Sequence, residues 1–356
     1  MLKFIFRRIC FSVFTLLVIS FLMFFITSHV SNFMMGDMLE RYVSPADRDY
    51  VAHTVEIYIT HEESNWLIRY GVWLTHVLRG KWGYSILFKM PVWDVLLRSI
   101  ENTLLLTTFA FVLSWVISLP LGIYTAINNR KIKSQIATTL GFVGLSIPEF
   151  FLALLGIYFA YHSGIFPIGG IVNAEVVLNG KWYMILLSYF HHLILPGFLL
   201  ASLSIAKNFK IIKGELQEEF KKDYTEFAIS KGLPKKYILF HHNFRNVLNP
   251  LCTNLGFQFA TLLTGSLFIE FLFSINGIGT LTIRSINFQD QPVAMASLFA
   301  SAVLLIIGNL VADILLAYID PRIRFQMFKW TKTKLNSYYS GFDKLDTKLK
   351  KFTTKI

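Results

Sequence analysis

The sequence of 356 residues is 54% hydrophobic, has a mean hydropathy of +0.51 and contains 34 Phe, whereas only 16% of its residues are charged. Soluble globular domains carry about 25% charged residues, so this composition argues against a soluble domain and places the chain among integral membrane proteins. The formal net charge of +12 then indicates basic loops on the cytoplasmic side of a membrane, and we expect no nucleic-acid partner.

Six apolar segments approach the roughly 20 residues that a helix needs to cross a hydrocarbon core. They cover residues 9–27, 102–127, 136–161, 184–205, 250–273 and 294–318. With the N-terminus inside, the inner segments hold 25 of the 34 Lys and Arg residues, which is the charge bias of cytoplasmic loops. The sequence therefore predicts an all-α integral membrane protein with six transmembrane helices and both termini in the cytoplasm.

The first apolar segment follows a short basic stretch, and no small-x-small cleavage site comes after it. We therefore expect residues 1–27 to form an uncleaved N-terminal anchor helix. Residues 28–101 then form an extracellular segment between spans one and two. Aromatic and apolar residues recur there at helical spacing, which predicts an amphipathic helix over 65–79 at the membrane interface. They are Trp66, Tyr70, Trp73 and Val77.

Several predicted spans contain residues that are unusual in lipid. Pro120, Pro148 and Pro196 lie in the second, third and fourth spans, where each removes one helix hydrogen bond and favours a kink. In the sixth span Asn309 and Asp313 are four residues apart and share a helical face. We expect them to face protein or a pathway, either in hydrogen bonds between helices or in contact with a transported molecule.

The sequence lacks common motifs for nucleotide binding, metal binding and hydrolysis. It contains no G-x-x-x-x-G-K-[ST], H-E-x-x-H or G-x-S-x-G pattern, and Cys10 and Cys252 are too few for a cysteine metal site. We therefore expect no enzyme, no metal and no cofactor on this chain.

The inner segment between spans four and five, residues 206–249, has a helical pattern of its own. Between 213 and 231 apolar residues recur on one face, at Leu216, Phe220, Tyr224 and Phe227. Gly232 is placed to end this helix and Pro234 to open the next one. The second helix repeats the pattern at Tyr237, Ile238, His241, Phe244 and Leu248. The two helices either lie on the membrane surface or dock their turn into a cytoplasmic partner.

The residues of this segment resemble a known cytoplasmic motif, D-Y-x-x-x-A-x-x-K-G-L followed by Arg-Asn and Pro. They are Asp223-Tyr224, Ala228, Lys231-Gly232-Leu233, Arg245-Asn246 and Pro250. Further matches are GLSIPEFFLALL at 144–155, LILPG at 193–197, EFLFSINGIGTL at 270–281, QDQPV at 289–293 and GNLVADILLAYIDPRIR at 308–324. The chain resembles the B-type transmembrane permease subunit of the oligopeptide, dipeptide and nickel ABC importer family. It departs from the family at Ile229-Ser230, where Arg-Ala is usual.

The resemblance implies an ABC importer permease fold with cytoplasmic coupling helices in the bacterial cell membrane. Residues 102–325 would form the core permease domain, with the coupling region at 213–249, and 326–356 a basic cytoplasmic tail. The implied partners are a second permease subunit in a heterodimer, two cytoplasmic ATPases that bind ATP and Mg, and an extracellular substrate-binding protein.

We predict two sets of site residues, the first from the resemblance and the second from a turn expected over 270–279 just outside span five and from the polar pair of span six. The ATPase-coupling set is Asp223, Tyr224, Ala228, Lys231, Gly232, Leu233 and Pro234, of which Tyr224, Ala228, Gly232 and Leu233 are expected to form the surface that faces the ATPase. The set for the translocation pathway and outer gate is Glu270, Ser274, Asn276, Gly277, Gly279, Asn309 and Asp313.

The substrate implied by the resemblance is an oligopeptide or dipeptide, and the alternatives within the family are a nickel or other metal chelate and glutathione. An ATP-independent secondary transporter is the rival class, which an intramembrane network of acidic and basic residues would favour. We take Glu270 and Asp313 as the acidic residues at or near membrane depth. A receptor or assembly factor that binds a partner through 28–101 is a third class.

Overall fold

The structure is a computed structural model that describes residues 2–30, 65–85 and 87–319. Its helices are α1 (Leu2–Val30), α2 (Trp66–Leu78), α3 (Val92–Ile127), α4 (Ile132–Ser146), α5 (Glu149–Ser163), α6 (Ala174–Asn179), α7 (Trp182–Glu219), α8 (Asp223–Ser230), α9 (Lys235–Tyr237), α10 (Phe244–Leu272), α11 (Ile278–Asn287) and α12 (Gln291–Ile319). A π-helical turn, Ile238–Asn243, joins α9 to α10. Two short antiparallel strands, β1 (Tyr84–Ser85) and β2 (Met90–Pro91), precede α3. The predicted tail 326–356 lies outside the described residues.

Five of these helices are long and apolar enough to cross a bilayer: α1, α3, α7, α10 and α12. The bent pair α4 and α5 supplies a sixth when it is taken as one span, in agreement with the six predicted spans. The helix α3 starts at Val92, well before the predicted start of span two at 102, because the residues after the hairpin continue the helix without a break.

The third span, predicted over 136–161 with a kink at Pro148, consists of two separate helices. Its two halves meet at an angle of 108°. Ile147 has extended backbone angles (φ −91°, ψ 126°), and Pro148 caps α5. Proline disfavours the helical conformation of the residue before it, which accounts for the break at this point. Pro120 and Pro196, in contrast, lie inside the unbroken helices α3 and α7.

The centre of the bundle is the pair α3 and α7, which lie against each other along much of their lengths. Two glycines let the helices approach closely. A Cβ added to Gly122 would lie 2.7 Å from the Ile212 side chain, and one added to Gly197 would lie 2.4 Å from the Phe109 ring. Small residues at a helix interface are typical of membrane bundles. The helix α10 packs on both members of this pair and on α12, which in turn contacts α1.

A buried polar network crosses the interior of the bundle and connects three spans. The Asn208 side-chain amide donates to Gln258 Oε1 (3.1 Å), and the Asn254 amide donates to Asn208 Oδ1 (3.0 Å). The Gln258 amide also donates to Ser114 Oγ (2.5 Å). All four side chains are buried. Because lipid offers no hydrogen bonds, these contacts favour one register of α3, α7 and α10.

The predicted helix over 65–79 is confirmed, and its neighbour in the structure is α1. Its apolar face packs on the first span, since the Phe21 and Trp66 rings lie 5.3 Å apart and the Tyr70 hydroxyl lies 2.8 Å from Ser20 Oγ. The Asn65 side chain caps the helix by accepting a hydrogen bond from Leu67 N. The aromatic pattern therefore serves helix–helix packing.

The short hairpin is fastened to the start of the last span by Asp290. This buried carboxylate accepts hydrogen bonds from Ser85 Oγ (2.6 Å) and from the backbone N–H of Leu87 (3.0 Å). The same residue precedes α12, where its backbone carbonyl accepts from Ala294 N (2.9 Å). Residues far apart in sequence are thereby joined at the end of the bundle predicted to lie outside.

We expect Gly122→Ala to lower the stability of the protein by about 1–3 kcal/mol, because the added methyl group overlaps the Ile212 side chain. The thermal midpoint of the purified protein in detergent, followed by tryptophan fluorescence, measures this. Gly71→Ala is the control, since a Cβ at Gly71 meets nothing within 4 Å in α2 and should stabilise that helix by about 0.5–1 kcal/mol. A midpoint unchanged by Gly122→Ala would contradict close packing of α3 on α7.

Candidate functional site

The cytoplasmic end of α7 is held by the side chain of Glu219. The helix stops at this residue, the chain turns through Phe220–Lys222, and α8 begins at Asp223. The buried Glu219 carboxylate accepts hydrogen bonds from the Lys222 ammonium and the Tyr224 hydroxyl. It also accepts from the Asn246 amide of α10 at 3.0 Å. One carboxylate therefore connects α7, α8 and α10.

The inner face of α8 packs against the π-helical turn. The buried Thr225 hydroxyl donates to the Glu219 carbonyl (2.8 Å), and a second contact joins it to Asn243 Oδ1 (3.2 Å). Ala228, one turn further on, is only 6% exposed. Burial and the Glu219 carboxylate raise the pKa of the Tyr224 hydroxyl above its usual value. These contacts fix the orientation of α8.

The predicted Gly-Leu-Pro turn is confirmed. Gly232 adopts a positive φ of 76°, and its N–H donates to the Ile229 carbonyl (2.9 Å). Glycine enters this conformation without the steric penalty of a Cβ. Leu233 N donates to the Ala228 carbonyl (3.3 Å), and Pro234 caps α9. The turn therefore closes α8 and directs the chain back toward the membrane.

The single helix predicted over 213–231 is wrong, because the structure interrupts it at Phe220–Lys222. The buried carboxylate and the Thr225 contact stabilise a bend there, which reorients the face that follows. Leu216 therefore lies in the core with Ile212, whereas Phe227 projects outward with 62% of its surface exposed. The apolar residues that recur over 213–231 are therefore divided between α7 and α8.

Exposed apolar side chains of α8, of the turn after it and of the helical residues that follow form a surface, which we call the tip surface. It consists of Tyr224, Phe227, Ile229, Leu233, Tyr237 and Phe240, each between 36% and 62% exposed. Charged Asp223 and Lys231 flank it, and the Lys231 ammonium lies 4.5 Å from the centre of the Phe227 ring. Of the four residues expected to face a partner, Tyr224, Gly232 and Leu233 are accessible. Ala228 is not, because it packs within this chain.

At the opposite end of α10, Glu270 holds the turn before α11. Its fully buried carboxylate accepts hydrogen bonds from Thr103 Oγ1 (2.7 Å) and from Gly279 N (2.8 Å). A Cβ on Gly277 would lie 2.4 Å from this carboxylate, so the turn requires a glycine there. Glu270, Gly277 and Gly279 therefore stabilise the turn from inside the chain.

The exposed part of the same turn consists of Ser274 and Asn276. Ser274 has a positive φ of 51°, which is unusual for a residue with a side chain. The Asn276 carbonyl accepts a hydrogen bond from the Asn102 amide of α3 (3.0 Å). These two residues are the members of the predicted gate set that this turn presents at the surface.

The remaining predicted pathway residues, Asn309 and Asp313, lie on α12 and have different surroundings. Asn309 is exposed, whereas Asp313 forms an ion pair with Arg8 of α1 at 3.1 Å. The Asp313 contact joins the first and last spans near the end predicted to be cytoplasmic. The structure therefore places Asp313 in a contact between helices, one of the two roles expected for it.

Two acidic residues that contact neighbouring helices, Glu149 and Glu219, are absent from the predicted site sets. Glu149 lies within the predicted third span but was not counted among the acidic residues there; in the structure it begins α5, half-buried beside Gly265 of α10. A carboxylate inside an apolar stretch was the available signal. The partners of Glu219 gave no such signal, because Asn246 is distant in sequence. Among the described residues, no group of three His, Cys, Asp or Glu side chains is arranged to hold a metal ion.

Comparison with known proteins gives a family match over residues 118–325, described as "binding-protein-dependent transport system inner membrane component". The chain is 33% identical to the oligopeptide transport system permease protein AppB of Bacillus subtilis, over 91% of this chain and 100% of AppB. It is 32% identical to the dipeptide transport system permease protein DppB of Lactococcus lactis subsp. cremoris, over 72% and 80%. A solved MetNI methionine ABC transporter in inward-facing conformations shares the fold, with a TM-score of 0.51, 16% identity and coverage of 64% and 96%.

We expect Glu219→Ala to speed hydrogen exchange of the amides in 223–233 roughly thirtyfold. The reason is that losing hydrogen bonds to a buried carboxylate costs about 2 kcal/mol, and each 1.4 kcal/mol corresponds to about a factor of ten. Exchange of these peptides, followed by mass spectrometry, measures the change. Glu218→Ala removes the same charge from an exposed neighbour and should leave the exchange unaffected. Equal exchange in the two variants would show that Glu219 does not hold α8.

Proposed function

We propose that this chain, which belongs to the binding-protein-dependent transport system inner membrane component family, forms half of the translocation pathway of a peptide importer. The family consists of permease subunits of ABC importers, which are not themselves enzymes and which work with ATPase and substrate-binding partners. Full-length similarity to a permease named for oligopeptide transport supports peptides as the substrate class. In the proposed assembly a second permease completes the pathway, and two ATPases bind ATP and Mg.

The observation that carries the coupling role is the position of the tip surface. The helix α7 continues past the predicted inner end of span four, at residue 205, and ends at Glu219. The tip surface follows Glu219 and so lies at the inner end of the bundle, beyond the spans. Its exposed aromatic and aliphatic side chains match the helix-in-groove mode of binding, which favours docking into a protein groove over the membrane-surface alternative.

In the proposed mechanism, ATP binding closes the ATPase pair and displaces the α8 helix docked in it. Phe227 and Ile229 supply the buried apolar contact, and Leu233 lies at its edge. The Glu219 contacts then transmit the displacement to α7 and α10, because the same carboxylate joins both helices to α8. Ala228, Gly232 and Pro234 shape the tip rather than contact the partner directly. Asp223 and Lys231 provide charged contacts at its rim.

For the outer gate we propose Ser274 and Asn276 as the residues that border the pathway, since both are exposed on the turn after α10. The buried residues Glu270, Gly277 and Gly279 stabilise the conformation of that turn. Asn309 is proposed as a further pathway residue because its side chain is exposed on α12. Asp313 acts through its contact with Arg8.

We expect Phe227→Ser to abolish most of the ATP hydrolysis that the loaded binding protein stimulates in the reconstituted complex. The side chain is 62% exposed, so its replacement should leave the folding of this chain intact while removing a central apolar contact with the ATPase. Ile165→Ser, at a similarly exposed site on the turn after α5, is the control. Full stimulation in Phe227→Ser would exclude the tip surface as the ATPase contact.

We expect the complex, reconstituted in proteoliposomes with its binding protein, to move labelled oligopeptide or dipeptide only when ATP is supplied on the cytoplasmic side. Parallel assays with glutathione and with a nickel chelate separate the alternatives within the family. Transport of one of these in place of peptide would revise the substrate. Peptide uptake by this chain without ATP would instead favour a secondary transporter.

A further inference from the structure

A cleft lies between α4 and the cytoplasmic end of α7, away from the tip surface and from the outer turn. It encloses about 320 Å³. Its walls include Thr138 and Phe142 from α4, and Phe209, Lys210, Lys213 and Gln217 from α7. Phe209, Lys213 and Gln217 recur at intervals of four, and Lys210 lies three residues before Lys213, so these residues line one side of the helix. We refer to this feature as the lysine cleft.

The two lysines of the cleft are held over it by contacts with α4. Lys213 Nζ donates a hydrogen bond to Thr138 Oγ1 (2.7 Å), and Lys210 Nζ lies 5.4 Å from the centre of the Phe142 ring. Within residues 2–30, 65–85 and 87–319, no carboxylate forms an ion pair with either lysine. The cleft therefore carries two positive charges that the described part of the chain does not neutralise.

Beneath these charges the wall of the cleft is apolar. Phe209 is only 3% exposed, and a Cβ on Gly141 would lie 3.0 Å from its ring, so α4 and α7 are in close contact at this level. Ala206 continues the apolar surface toward the membrane interior. Positive charge at one end and apolar surface at the other match an amphiphilic anion.

The depth of the cleft corresponds to the headgroup layer of the inner leaflet. Lys213 contacts Thr138, which lies two residues, or about 3 Å, after residue 136, the predicted cytoplasmic start of span three. The headgroup layer begins at that start and is about 5–8 Å thick, and a lysine side chain reaches several Å toward it. Phosphate groups of the leaflet are therefore within reach of both ammonium groups.

We propose that the lysine cleft binds the phosphate headgroup of an anionic phospholipid, with Lys210 and Lys213 on the phosphate and the start of an acyl chain along Phe142, which is 51% exposed. A volume of 320 Å³ equals roughly ten water molecules of liquid, which suits a headgroup and excludes a folded segment of another chain. The bound lipid would join α4 to α7, the helix that carries the coupling segment. This inference depends on the membrane location of the chain and not on peptides as substrate.

The test uses the assembled importer complex in nanodiscs of phosphatidylcholine that contain a small fraction of phosphatidylglycerol. Native mass spectrometry measures how much phosphatidylglycerol stays bound after release from the disc. We expect Lys210→Gln/Lys213→Gln to weaken its binding roughly thirtyfold, since each lysine near an anionic headgroup contributes about a factor of five. Lys210→Arg/Lys213→Arg keeps the charge and should retain the lipid.

The matched control is Lys133→Gln/Lys207→Gln, which removes the same charge from exposed positions outside the cleft. An equal loss of lipid in both Gln variants would overturn the site, because it would indicate general attraction to a basic surface.

Inorganic phosphate is added in a further arm. Displacement of phosphatidylglycerol by inorganic phosphate alone would show that the cleft takes free phosphate. Lipid bound by the isolated chain but absent from the complex would show that a partner subunit covers the cleft. Either result overturns the proposal.

Discussion

The length of α7 sets the geometry of the whole molecule. Its 38 residues form one helix of about 57 Å, nearly twice the thickness of a hydrocarbon core of about 30 Å. Pro196 does not interrupt it. Because the helix is continuous, one rigid element passes from the outer side through the centre of the bundle to the coupling segment. The tip surface and the lysine cleft both owe their distance from the bilayer centre to this helix.

Buried carboxylates stabilise both ends of the bundle. Glu219 joins α8 to α7 and α10 on the cytoplasmic side, and Glu270 joins the outer turn to α3. Asp290 adds the hairpin to the start of α12. Each of them accepts several hydrogen bonds, as a buried carboxylate requires. The acidic residues of these turns therefore maintain the shapes that exposed neighbours such as Phe227 and Ser274 present to other molecules.

This division of roles suits a subunit that transmits force without carrying out chemistry. A displacement at α8 reaches the spans only when the contacts between them do not yield, and the Glu219 hydrogen bonds provide that stiffness. Further into the membrane, the network of Ser114, Asn208 and Gln258 keeps α3, α7 and α10 in register.

The sequence by itself determined the membrane class, the six apolar segments and the Gly232–Pro234 turn, because hydrophobic length and backbone preferences are local properties. It also contained the motif proposed for coupling, although not which way that motif faces. The tertiary structure decided how sharply span three bends at Pro148, the interruption of the 213–231 helix and the inward face of Ala228. It also decided that Glu270 lies inside its turn. These outcomes depend on hydrogen bonds and contacts between residues far apart in the chain, such as Glu219 with Asn246, and periodicity within one segment carries no information about such partners.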